Sequence, residues 1–245
     1  MKRILLRVAY DGTDFCGWQL QPEKRTVEGE LNRAIKELTG EDIEVIGASR
    51  TDSGVHALGN VAVFDTESSI PADKFMFALN TLLPEDVSVV ESKEVEPDFH
   101  PRHCDSIKTY EYRIYVSRIN KPLKRRYAFR CPYELDVLRM DEAAKYLIGE
   151  HDFKSFCCIR TQAETTVRKL YSADVFKDGD DIVIRVSGAG FLYNMVRIIA
   201  GSLMEVGSGK YESEHIKEVL EGTDRTLAGP TAEPQGLTLK SIEFR

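Results

Sequence analysis

The chain has 245 residues, of which 42% are hydrophobic and 30% are charged, a composition typical of a folded protein with one large or two small cores. It contains no run of about 18 apolar residues that could span a membrane, and charges interrupt the first apolar run, which argues against a signal peptide. We therefore expect a cytoplasmic protein whose five cysteines, none of them in CxxC spacing, are free thiols.

The first half of the chain alternates between strand and helix patterns. KRILLRVAYDG predicts a strand, and RTVEGELNRAIKELTG predicts a helix because its apolar residues recur on one face, at Val27, Leu31, Ala34, Ile35 and Leu38. IEVIG and NVAVFD predict two strands, PADKFMFALNTLL predicts a helix bounded by prolines, and DVSVVESKEV predicts a further strand. This β-α-β-β-α-β order is typical of ferredoxin-like folds.

The second half follows a similar order with additions. KTYEYRIYVS predicts a strand, MDEAAKYLIG a helix, RKLYSADVFKDGDDIVIRVSG a hairpin, FLYNMVRIIAGSLMEVG and SEHIKEVLEG two helices, and GLTLKSIEF a last strand. We therefore predict an α+β fold of two ferredoxin-like halves, with mainly antiparallel sheets and a cleft between the halves. The polar segment EPDFHPRHCDS marks the boundary, so that residues 1–104 form one half and residues 105–245 the other.

Positive charge is concentrated in one segment of this acidic chain. The net charge of −7 at pH 7 alone disfavours a nucleic-acid partner. Residues 100–130 nevertheless contain nine Lys and Arg residues against two acidic residues, which gives a local charge of +7. Such asymmetry indicates either a polyanion site, with Lys124, Arg125 and Arg126 as candidate RNA contacts, or a solvated basic surface.

Residues 47–60, GASRTDSGVHALGN, connect two predicted strands and combine small residues with three ionisable side chains, those of Arg50, Asp52 and His56. An Asp-Ser-Gly sequence commonly forms only a turn or a cap. Here Arg50 and His56 accompany the aspartate, and functional groups concentrate on loops that rigid elements hold. The segment therefore indicates a functional site centred on Asp52, with Arg50 and His56 as candidate RNA contacts.

Arg197 is an unusual residue in its helix. Apolar residues surround it in FLYNMVRIIAGSLMEVG, so the helix is predicted to be largely buried. Its guanidinium either extends to the surface or pairs with a carboxylate, for which Asp52 is the candidate. Such a partner would keep the aspartate ionised and oriented.

Tyr110 lies in the basic strand KTYEYRIY, where it shares a face with Tyr112. Strand tyrosines commonly belong to a core, but a tyrosine at a cleft edge can stack on an extruded base.

Metal and phosphate motifs are weak in this sequence. FHPRHC brings His100, His103 and Cys104 together, but no second ligand cluster at zinc spacing accompanies them. The motifs GxSxG, GxxxxGK[ST] and GxGxxG are missing from the sequence. We therefore expect neither a metal nor a cofactor.

Seven stretches together resemble the tRNA pseudouridine synthase A family over almost the whole chain. They are AYDGTDFCGWQLQP, RTVEGELNRAI, SRTDSGVHALGNVAVF, FHPRHCDSIKTYEYRIY, GEHDFKSF, GFLYNMVRIIAGSLMEVG and EPQGLTLKSI. The chain departs from the family pattern at Ser49 and Ser53, where glycine and alanine are usual, and both replacements are small.

This resemblance implies a homodimer that isomerises uridines at positions 38, 39 and 40 in the anticodon arm of tRNA. It implies that Asp52 is the catalytic aspartate and that Arg197 is its partner. It further implies that Arg50 helps to flip the target nucleotide and that Tyr110 lies against the target base.

The chemistry of the reaction suits these residues. Converting a uridine to its C-glycoside breaks C1′–N1 and forms C1′–C5 without a change in redox state. An ionised carboxylate can act as a nucleophile or stabilise positive character at C1′, and the sequence leaves open whether attack occurs at C6 or C1′. The target nucleotide must also leave its stack.

Two other function classes remain as alternatives. A non-catalytic RNA-binding module is the main one, although the sequence has no RNP1-like run of the K/R-G-F/Y-G/A-F-V type. A hydrolase that uses Ser53 and His56 is the third.

Overall fold

The computed structural model describes residues 1–158 and 164–245, and in it the chain forms two compact units. The first unit consists of Met1–Asp105 and Leu239–Arg245, and the second of Ser106–Thr238. The predicted halves, 1–104 and 105–245, divide the chain one residue earlier and assign the C-terminal residues to the second half.

Ten strands and five α-helices make up the described part of the chain. The strands are β1 (Lys2–Tyr10), β2 (Ile46–Gly47), β3 (His56–Thr66), β4 (Val87–Val95), β5 (Ser106–Val116), β6 (Phe129–Cys131), β7 (Gly149–Asp152), β8 (Val167–Asp178), β9 (Asp181–Gly188) and β10 (Leu237–Phe244). The helices are α1 (Val27–Thr39), α2 (Phe75–Asn80), α3 (Val137–Lys145), α4 (Met195–Gly207) and α5 (His215–Gly222). The mixed content and the mainly antiparallel pairing confirm the predicted α+β class.

The strands of the first unit lie in the order β4-β1-β3-β10, with β2 beside β3. In the antiparallel register Leu6 of β1 is opposite Ala62 of β3 on one side and Ser92 of β4 on the other. The element order β1-α1-β2-β3-α2-β4 follows the predicted β-α-β-β-α-β pattern. This order brings the β2–β3 connection next to the end of β1.

Helix α1 shows why the first unit folds as the sequence indicates. Its N-cap is Thr26, whose hydroxyl accepts a hydrogen bond from Gly29 N, and Gly40 ends the helix in the left-handed conformation. Leu31 and Ile35 lie on the buried face, as their helical spacing predicts.

The second unit is built on β5, β9, β8 and β7, which pair in that order with antiparallel neighbours, while β6 runs parallel to β5. Helix α4 packs its apolar residues inward, including the fully buried Ile199 and Leu203. The side chains of β5 are more buried than simple alternation predicts, since even Glu111 is only 2% exposed. Arg185 compensates the Glu111 carboxylate with two hydrogen bonds, of 2.9 and 2.7 Å.

Three details of the elements differ from the sequence prediction. The short strands β6 and β7 were not predicted. Helix α2 is shorter than predicted because a single 3-10 turn, Ala72–Lys74, precedes it. Helix α4 begins only at Met195 because Asn194 adopts φ 62°, in the left-handed region.

No helix among residues 1–158 and 164–245 has both the length and the apolar character needed to cross a bilayer.

Candidate active site

The connection between β2 and β3, residues 48–55, contains two of the predicted site residues and is named here the Asp52 loop. Its side chains alternate in exposure: Ser49 and Thr51 are buried, whereas Arg50 is exposed and Asp52 is half-buried. Ser49 and Thr51 thus anchor the loop in the protein interior, while Arg50 and Asp52 lie towards the surface.

Backbone hydrogen bonds fix the Asp52 loop to the segment that follows β1. Trp18 N donates to Thr51 O at 3.1 Å, and Gly54 N donates to Phe15 O at 3.3 Å. Because these bonds lie on both sides of Asp52, its backbone is fixed before any substrate arrives.

Gly17 allows this close approach. Its φ is +87°, and a Cβ atom at this position would lie 2.7 Å from Thr51 O and 3.2 Å from Ser53 N. A side chain would therefore displace the backbone on either side of the aspartate.

A buried polar network also holds the N-terminal part of the Asp52 loop. Asn60 is fully buried, and its Nδ2 donates to Ser49 O at 2.9 Å and to the Tyr10 hydroxyl at 3.2 Å. The Tyr10 hydroxyl shares a further hydrogen bond of 2.7 Å with Thr51 Oγ1. The network therefore fixes both neighbours of Arg50 in the chain.

We expect Asn60→Leu to lower the free energy of unfolding by about 2 to 4 kcal/mol, because two buried acceptors lose their donor. Tyr10→Phe is the matched comparison and is expected to cost about 1 kcal/mol, since it removes only the hydroxyl. Urea unfolding followed by circular dichroism measures both. A loss below about 0.5 kcal/mol for Asn60→Leu would contradict a stabilising role of the network.

His56 begins β3, and its side chain is buried rather than presented on the surface. Its Nδ1 accepts a hydrogen bond from Gly12 N at 3.0 Å and lies 3.2 Å from a carboxylate oxygen of Asp11. The sequence predicted an RNA contact for His56. The side chain contacts Gly12 and Asp11 in the segment after β1, and its role as an RNA contact stays a prediction.

Tyr110 lies in β5 of the second unit and is 7% exposed, with its ring edge-to-face against Phe191 at 5.1 Å between centroids. Tyr112 is fully buried, and its hydroxyl donates to Glu233 O at 2.9 Å. Burial raises the pKa of Tyr112 well above its usual value, against the opposing effect of the Arg197 charge. Tyr112 is therefore a neutral core residue. For Tyr110, the role of stacking on the target base stays a prediction.

Arg197 lies in the first turn of α4 and is half-buried. Its Nε donates to Ala232 O at 2.7 Å, and its Nη1 donates to Asn194 Oδ1 at 3.0 Å. These acceptors orient the guanidinium within the second unit. The predicted pairing of Arg197 with Asp52 stays a prediction.

The basic segment is partly neutralised within the second unit. Three of its basic side chains pair with aspartates at the β8–β9 turn: Arg113 with Asp178, Lys121 with Asp180 and Lys124 with Asp181. Arg125 and Arg126 are exposed. The charge that this segment offers to a polyanion is therefore smaller than its sequence indicates.

The two histidines of FHPRHC contact each other. The rings of His100 and His103 stack on each other at 3.9 Å, with an angle of 15° between them. Within the part of the chain that the structure describes, no three His, Cys, Asp or Glu side chains are grouped as metal ligands.

Sequence reasoning missed three residues that support the Asp52 loop, namely Tyr10, Asn60 and Arg102. Tyr10 and Asn60 lie in strands, and their hydrogen bonds with each other and with Thr51 join residues 41 and 50 positions apart. Arg102 donates from Nε to Gly47 O at 2.8 Å, across 55 positions. No local pattern indicates such distant partners.

Known proteins match this chain over its full length. A family model described as tRNA pseudouridine synthase matches residues 7–103 and 143–245. The proteins named tRNA pseudouridine synthase A from Caldicellulosiruptor bescii and Brevibacillus brevis are each 47% identical over 244 residues, which cover 100% of this chain and of each relative. The protein of that name from Anoxybacillus flavithermus is 46% identical over 245 residues, covering 100% of this chain and 99% of the relative. This chain therefore belongs to the tRNA pseudouridine synthase family.

Proposed function

We propose that this chain isomerises uridine to pseudouridine at positions 38, 39 and 40 in the anticodon arm of tRNA, with Asp52 as the catalytic carboxylate. One observation carries the proposal: Asp52 is half-buried on a loop whose backbone is fixed on both sides of it. A fixed carboxylate at a partly enclosed position suits a reaction that develops positive character on the sugar.

The reaction balances without an outside reagent. The C1′–N1 bond breaks and the C1′–C5 bond forms, C5 loses its proton and N1 gains one, so the product is an isomer of unchanged mass. The Asp52 carboxylate acts either as the nucleophile or as the group that stabilises positive charge at C1′.

The remaining site residues have supporting roles in this proposal. Arg50, exposed beside Asp52, helps to flip the nucleotide, and Tyr110 provides the surface on which the base stacks. Arg197 keeps the catalytic carboxylate charged. Arg125 and Arg126 are exposed contacts for the RNA backbone, and Lys124 contributes less because Asp181 accepts its hydrogen bond.

The resemblance also supports a homodimer as the working form and the cytoplasm as its location. An elongated tRNA extends beyond a single 27.7 kDa subunit, which agrees with two chains acting together.

Incubating the purified protein with unmodified tRNA and mapping modified positions tests the reaction and its position together. We expect pseudouridine at positions 38, 39 or 40 and no change in the mass of the RNA. Binding without modification would indicate the non-catalytic RNA-binding alternative, and cleavage products would indicate a hydrolase. Either result would overturn the proposal.

A further inference from the structure

The arginines of segment 1–105 differ sharply in their partners. Four of the six form salt bridges with carboxylates at 2.6 to 3.1 Å: Arg3 with Asp65, Arg7 with Glu91, Arg25 with Glu30 and Asp86, and Arg33 with Glu30 and Glu37. Arg50 and Arg102 form no salt bridge with any residue that the structure describes. Arg50 lies on the Asp52 loop, and Arg102 contacts Gly47, the residue before that loop.

Arg102 is anchored by one edge of its guanidinium. Its Nε donates to Gly47 O at 2.8 Å, at the end of β2 where the Asp52 loop begins. Its Nη1 and Nη2 groups donate to no residue within 1–158 or 164–245. Arg50 follows Gly47 by three positions and is exposed. One edge of the Arg102 guanidinium is thus fixed by protein, and the edge that suits bidentate binding remains for a ligand.

The electrostatics of this position favour an anion. Burial lowers the pKa of Arg102, the positive charge of Arg50 lowers it further, and Glu28 opposes the effect. The Glu28 carboxylate also accepts a hydrogen bond from Leu20 N at 2.7 Å, so its charge is shared with the backbone. Two guanidinium groups therefore act on each other with little compensation from the protein.

We propose that Arg102 binds one phosphate of the tRNA backbone beside the Asp52 loop, with Arg50 adding to the positive field at that phosphate. The inference rests on the proposed function, because it takes tRNA as the substrate. A guanidinium binds a phosphate through two parallel N–H···O bonds, and the two Nη groups of Arg102 provide that pair of donors. Holding this phosphate would fix the backbone next to the nucleotide that leaves its stack.

The salt dependence of tRNA binding tests this role. Each phosphate contact contributes about 0.7 to 0.9 to the slope of log affinity against log salt concentration. We expect Arg102→Gln to reduce the magnitude of the slope by about that amount, which corresponds to about threefold over a fourfold change in salt. Arg33→Gln is the matched control, since it removes the same charge from a paired arginine in the same unit. Its slope is expected to equal that of the wild type.

Arg102→Lys separates the phosphate contact from the hydrogen bond to Gly47. Lysine keeps the charge but has no Nε–H to donate to the Gly47 carbonyl, so the slope is expected to persist. An unchanged slope in Arg102→Gln, or an equal loss of slope in Arg102→Lys, would overturn the proposal.

A second measurement uses the wild-type protein and does not depend on how the variants fold. Ethylation of individual tRNA phosphates neutralises them one at a time. We expect ethylation of a phosphate adjoining the target nucleotide to weaken binding. If no phosphate adjoining that nucleotide is required, the proposal is wrong. Both measurements record binding, so they distinguish a failure of this inference from a failure of Asp52 as the catalytic residue, which changes turnover.

Discussion

Asp52→Asn is expected to reduce pseudouridine formation by about 10³-fold or more while tRNA still binds. Asparagine keeps the size of the side chain but has no negative charge and little nucleophilicity. It can therefore neither attack the nucleotide nor stabilise positive character at C1′. Asp52→Glu is expected to fail nearly as badly, because a shift of about 1 Å in the carboxylate costs about two orders of magnitude.

Single-turnover measurements, with enzyme in excess over tRNA and concentrated enough to bind all of the tRNA, measure the chemical step for this comparison. Asp14→Asn is the charge-matched control, since Asp14 is exposed and lies outside the Asp52 loop, and its rate is expected to equal that of the wild type. Thermal unfolding and tRNA binding confirm that each variant is folded. If folded Asp52→Asn forms pseudouridine at the wild-type rate when all of the tRNA is bound, the proposed mechanism is ruled out.

Gly17→Ala is expected to lower turnover by about 10²-fold, because the new methyl group would lie 2.7 Å from Thr51 O and push the Asp52 loop from its position. The positive φ of +87° adds backbone strain of about 1 to 2 kcal/mol. Binding of tRNA is expected to change much less than turnover, since the exposed basic side chains outside the Asp52 loop, Arg125 and Arg126 among them, keep their positions.

Gly40→Ala is the matched control for this effect. Gly40 also has a positive φ, of +77°, but a Cβ atom there would meet no atom within 4 Å. We expect Gly40→Ala to cost similar stability and to leave turnover unchanged. Equal turnover in the two folded variants would show that the close approach of Gly17 to the loop does not affect catalysis.

The sequence predicted the parts of the fold that depend on local periodicity. In α1 the apolar residues that predict the helix recur within three or four positions of one another, and the cap at Thr26 and the end at Gly40 are equally local contacts. Strands β6 and β7 contain three and four residues, which is too short for an alternating pattern to be recognised. The start of α4 depends on the left-handed conformation of Asn194, which the apolar pattern around it does not indicate.

The candidate site was predictable where residue type carries the chemistry. Arg50 and Asp52 could be singled out because ionisable groups in a small-residue loop are unusual. The burial of His56 and the support from Asn60 could not be predicted, because both depend on contacts between distant parts of the chain. The partial neutralisation of residues 100–130 could not be predicted for the same reason, since Lys124 pairs with Asp181, 57 positions away.

The fixed backbone of the Asp52 loop has a consequence for how this enzyme selects its substrates. The hydrogen bonds from Trp18 and Gly54 order the loop in the free protein, so little conformational entropy is lost there on binding. The deformation needed to bring the two molecules together then falls on the RNA, whose target nucleotide must unstack. We therefore expect discrimination among tRNAs to follow the stacking strength and stiffness of the anticodon arm, even where the protein contacts identical phosphates.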